Sequence, residues 1–155
     1  MKRVLSTIAL AGLLSAPGIT ASAQVAQLPT DLVAEYMRND NSYLSLTWWN
    51  ALSADLTLRT EGDAENIDPK TLQNIIYFAS QASARLDLSR AVPGLIRVFR
   101  SHPDQAYRMM ALAALSAIGD KRGLAEIRDS FEGEQSRTIR NMSVAVLREH
   151  RQARD

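Results

Sequence analysis

The chain has 155 residues, 46% of them apolar and 23% charged, with 18 basic and 17 acidic side chains and no cysteine. That length suits one packed domain, and the missing cysteine excludes disulfides, thiol nucleophiles and zinc–thiolate sites. A net charge of +1 leaves no basic excess of the kind that binds nucleic acid.

At the N-terminus, Lys2 and Arg3 precede an apolar run from Val4 to Leu14, then Pro17-Gly18 and the small-residue triplet Ala21-Ser22-Ala23. This is the order of a secretory signal peptide, with cleavage expected after Ala23. The run is too short to remain as a membrane span. Residues 1–23 are therefore expected to be removed, leaving an exported chain, periplasmic or extracellular, with no stable membrane span.

Residues 24–67 read as an N-terminal helical cap and an acidic loop. In "NSYLSLTWWNALSADL", Leu44, Trp48, Leu52 and Leu56 recur every four residues, with Leu46, Trp49 and Ser53 on an adjoining strip. Adjacent tryptophans suit either a stacking platform for a sugar or peptide or the capping of a core, and the second use is the commoner one. Arg59 to Asp68, "RTEGDAENID", reads as an exposed acidic loop.

From residue 68 onward the helical signals are sharp. Asp68-Pro69 is an N-cap followed by proline at the first helical position. Leu72, Ile75, Ile76, Ala79, Ala82 and Leu86 then follow at helical spacing. A second helix is expected from about Ser89 to Arg100, with Pro93 tolerated in its opening turns. A third opens after His102-Pro103-Asp104 and ends at Gly119-Asp120, where glycine supplies a left-handed cap. A fourth spans roughly Lys121 to Glu132 and a fifth roughly Gln135 to Arg151. No segment alternates as a strand would.

An offset of 32 residues aligns Arg90 with Arg122, Phe99 with Phe131, Arg108 with Arg140, Met110 with Met142 and Leu115 with Leu147. The same offset backwards places Ile75, Ala79, Ala82 and Leu86 on Tyr107, Ala111, Ala114 and Ile118. Apolar faces in register over three helices are the mark of a helix-pair repeat.

The residues that carry this repeat resemble a known family. Arg90-Ala91-Val92-Pro93-Gly94-Leu95, the corner Asp104, Tyr107 and Arg108, and Ala114-Leu115-Ser116-Ala117-Ile118-Gly119-Asp120 are similar to the short bacterial HEAT-repeat type, also called phycobilisome-lyase-like. In that family a helix of the form R-A-V-P-x-L leads to a D-x-x-V-R corner and a second helix ending A-L-x-x-I-G-D; here Tyr107 replaces the usual valine. The match is specific over 88–128, weaker over 68–87 and 129–151, and does not reach 24–60. It implies an all-α fold, an α-solenoid of two to three HEAT-like helix pairs over 68–155, and a protein-binding surface rather than a reaction. The family also implies that Arg108 and Arg140 tie neighbouring corners by pairing with an aspartate, for which Asp104 and Asp120 are available. Such a stack needs a cap on its exposed end, which is the role expected of the N-terminal aromatic helix.

In such stacks the second helix of each pair lines the concave side. With about 100° per residue, the face away from the core carries Tyr77, Met109, Leu112 and Val144, rimmed by Arg137 and Arg148. These six are the expected partner-binding residues, an apolar groove whose basic edge would select an acidic protein segment.

Catalysis finds little support. His102 and His150 lie in different repeats, and Glu149-His150 occurs once and in the reverse order of the His-Glu pairs with which some HEAT proteins bind iron. No metal, cofactor or catalytic residue is assigned. The expected function is an exported, non-catalytic interaction module or scaffold. Two alternatives stand beside it: a lyase-like or metal-dependent enzyme helper, and a self-associating envelope protein. The last would use a charge split, since residues 24–87 hold 4 basic and 9 acidic side chains (net −5) and residues 88–155 hold 12 and 8 (net +4).

Overall fold

A computed structural model describes residues 32–38 and 44–153. The signal peptide expected over 1–23 lies outside the described residues. Within them the chain is all-helical, with seven α-helices, two 3₁₀ turns (Ala64–Asn66 and Ser89–Ala91) and no strand. The helices are α1 (Leu32–Arg38), α2 (Leu46–Leu58), α3 (Pro69–Ala82), α4 (Val92–Ser101), α5 (Gln105–Ile118), α6 (Lys121–Asp129) and α7 (Arg137–Gln152). None of them is long and apolar enough to cross a membrane.

Their ends follow from local chemistry. Asp68, Asp104 and Asp120 each accept a hydrogen bond from the backbone N–H two residues on, satisfying one of the donors a helix leaves open at its start. Ser45 and Ser136 do the same for α2 and α7 from three residues on. Gly119 ends α5 at φ 68°, the left-handed conformation expected of it.

Several boundaries differ from those read in the sequence. The second expected helix begins at Val92, because Ser89–Ala91 tightens into a 3₁₀ turn ahead of Pro93. The fourth stops at Asp129 rather than near Glu132. There the Ser130 hydroxyl donates to the Glu126 carboxylate and the chain turns through Gly133. Helix α1 was not anticipated; at seven residues it is too short to set up a readable period.

Helix α5 is the centre of the packing. It lies along α3 and α4 and also meets α6 and α7, while α4 meets α6 and α2 meets α3. The core runs through every layer, with Leu52 and Leu56 from α2, Leu72, Ile75 and Phe78 from α3, and Leu95 and Phe99 from α4. Ala111, Leu112 and Leu115 of α5, Ile127 of α6 and Ile139 of α7 continue it. Each large aliphatic or aromatic side chain removed from water in this way contributes about 1.5–3 kcal/mol. One backbone approach is unusually close: a Cβ on Gly94 would lie 2.7 Å from Thr60 Cβ, so only glycine lets α4 sit against the segment after α2.

At the N-terminal end the aromatic side chains form one cluster. Tyr36 of α1 stacks on Trp48 at 6.0 Å and meets Trp49 and Phe78 edge-on at 5.8 and 4.9 Å. Trp48 Nε1 donates to Glu35 at 3.0 Å, tying α2 to α1. Trp49 is buried, with the Arg85 guanidinium 5.9 Å from its ring centroid. A buried indole presents no open stacking platform.

Candidate functional site

The six residues expected to line one groove do not occupy one site. Leu112 is fully buried and is withdrawn from the binding face. The cause is the position of α5, which carries neighbours on several sides at once; Ala111, Leu112, Ala114 and Leu115 are all enclosed. Met109, one turn earlier, is half-buried, and its sulfur accepts from Gln105 Nε2 at 3.9 Å. Tyr77 is 40% exposed but belongs to the aromatic cluster, edge-on to Tyr36 at 6.3 Å and to Phe78 at 5.2 Å.

Val144 and Arg148 do come together, in a setting the sequence did not reveal. With Leu147 of α7, Phe131 after α6, and Arg128 and Arg151 they line a cavity of about 320 Å³ between the last two helices. Val144 is 39% exposed, one of few large apolar side chains left open. A second cavity of about 480 Å³ shares Arg128, Leu147 and Arg151 and continues the trough past Lys121. Arg137 is exposed at the first turn of α7, seven residues before Val144 and so about 10 Å away along the helix axis. The trough therefore has an apolar floor (Phe131, Val144, Leu147) and a cationic rim (Arg128, Arg148, Arg151). Arg128 pairs with its neighbour Asp129 at 3.0 Å, an exposed pair of little energetic consequence that an incoming carboxylate can replace.

The recurring arginines serve the frame. Arg108 pairs with the Glu134 carboxylate, and its Nε donates to the Phe99 carbonyl at 2.9 Å. Arg140 Nη1 donates to the Glu134 carbonyl at 2.8 Å, while the Glu134 carboxylate also accepts from the Ser136 N–H. The expected aspartate partners are thus replaced by one buried glutamate, while Asp104 and Asp120 serve as helix N-caps and Asp120 pairs with Arg122. Glu134 escaped sequence reasoning because it sits in a turn with no periodic counterpart.

Both imidazoles are likewise engaged. His102 is buried at the end of α4, its ring stacked on Tyr107 at 4.1 Å and its Nδ1 accepting from the Asp104 N–H at 3.0 Å. His150 Nε2 donates to the Ser116 carbonyl at 2.9 Å and joins α7 to the end of α5. No group of three or more His, Asp or Glu arranged to hold a metal occurs among the described residues.

A third cavity, about 430 Å³, opens where α3 and α5 end. Its lining mixes apolar side chains such as Leu86, Leu88 and Ile118 with Asn50, Arg85, Asp87 and Asp120. The Ser89 hydroxyl and then its N–H hold the Asp87 carboxyl below the ordinary 3.8. The Arg122 side chain does the same for Asp120. Both carboxylates are engaged in closing turns.

No protein-family model, curated protein or solved structure matches the chain.

Proposed function

We propose that this chain is an exported, non-catalytic α-solenoid module of two to three HEAT-like helix pairs that holds an acidic protein segment. Helices α3, α5 and α7 would be the second members of successive pairs and α4 and α6 the first. The 32-residue register, the aspartate caps and the left-handed Gly119 support that reading. Helices α1 and α2, with their aromatic cluster, would cap the first pair.

The observation that carries the functional half is the trough between α6 and α7. That trough keeps Phe131, Val144 and Leu147 accessible among the guanidinium groups of Arg128, Arg148 and Arg151. Apolar floor and cationic rim together favour a segment with an apolar anchor flanked by carboxylates. In this reading Val144 and Arg148 line the contact, while Tyr77, Met109 and Arg137 stand outside it. Both histidines carry structural hydrogen bonds, and neither lines the cavity of Phe131, Val144 and Leu147.

The test is affinity capture from envelope extract with wild type and Val144→Asp, beside thermal melts of both. Partners held by wild type and lost from a variant that melts within a few degrees of it are the expected result. Equal capture by both proteins would refute the assignment.

A further inference from the structure

Resting on that reading of the trough, we infer that the segment it holds is the acidic corner after α2 of a second copy of this chain. The corner has the complementary form. Leu58, at the last turn of α2, is 64% exposed, second only to Leu46 among the large apolar side chains of the described residues. It is followed by Glu61, Asp63, Glu65 and Asp68, all exposed. The corner thus carries an exposed leucine, Arg59 paired with Asp55, and four exposed carboxylates, while the trough carries an apolar cleft lined by Arg128, Arg148, Arg151 and Lys121.

The corner is also presented rigidly, which limits what binding must order. Thr60 is buried, its hydroxyl donates to the Thr57 carbonyl at 2.7 Å, and its own carbonyl accepts from Arg97 Nη2 at 3.1 Å. Ile67 is buried at the far side of the loop. Between these anchors Gly62 turns at φ 96°, so the carboxylates are displayed on a fixed arch rather than a loose tail. Leu58 would enter between Phe131, Val144 and Leu147, and the carboxylates would meet the guanidinium rim. Such a contact is heterologous: each copy offers its corner to one neighbour and its trough to another, so it propagates into chains or closes into a ring.

Sedimentation velocity over a concentration series, at low and high salt, tests this with two variants altered only at exposed positions, Leu58→Asp and Val144→Asp. Wild type should self-associate, with affinity falling roughly tenfold or more as salt rises to about 0.5 M. Each variant alone should be monomeric. Mixed, they should form a dimer capped at one copy of each, because Leu58→Asp retains a working trough and Val144→Asp a working corner. A wild type that stays monomeric at low salt, a mixture that does not pair, or an oligomer indifferent to Leu58→Asp would overturn the inference. Should the wild type stay monomeric yet hold an envelope protein in a Val144-dependent manner, the self-contact falls and the module reading stands. Loss of both would end the two together.

Discussion

Leu112 and Val144 were equivalent in the sequence, apolar residues on the same nominal face of successive repeats, and the fold separates them. Leu112→Ala should cost about 2–5 kcal/mol because it empties a closed core position. Val144→Ala should change stability by no more than about 0.5 kcal/mol. Chemical denaturation of the two variants measures the contrast directly. Glu134 holds the turn before α7 against α5 with its side chain only 6% exposed. Glu134→Ala should therefore cost about 2–4 kcal/mol, since it leaves Arg108 partly buried without its carboxylate. Asp87 and Asp120 both titrate below 3.8 in the folded chain. Their contribution is present above the unfolded value and lost as pH falls through the lower folded values. Melting temperatures should hold above pH 4 and decline below it, and Asp120→Asn should flatten part of that decline.

At the scale of elements, the helices from α3 onward were legible because their signals are local and redundant. Asp68-Pro69, Asp104 and Gly119-Asp120 each carry capping chemistry that works whatever the helix packs against. The apolar period between them gave most of the buried face of α3, without Phe78, and of α5, without Leu112. What remained hidden depends on contacts distant in sequence. Nothing near Tyr36 announces that α1 will lie over Trp48 and Phe78, and nothing near Glu134 announces two arginines from neighbouring helices. The trough escaped for a related reason: its walls come from α6, the following turn and α7, so no single helical face displays it. Helix α1 is held by the buried Leu32, by Tyr36 and by the Glu35–Trp48 hydrogen bond. Tyr36→Ala should expose Trp48 and shift tryptophan emission to the red, with little change in the helicity of α3 to α7. Gly94→Ala should force α4 away from Thr60 and destabilise the chain despite alanine's higher helix propensity.

For the molecule as a whole, the near-zero net charge conceals the feature that matters, its division between an acidic first half and a basic second half. The fold turns that division into geometry, with the exposed carboxylates of 61–68 on one corner and the arginines of α6 and α7 around an apolar trough. The central claim, that this trough is the binding face, is tested most directly by placing a photo-crosslinking amino acid at position 144 and mapping its adducts by mass spectrometry. Adducts to acidic segments, the 58–68 corner among them, are expected, and none from the same probe at exposed Arg90. Adducts confined to solvent at position 144, or an indistinguishable set from both positions, would contradict it.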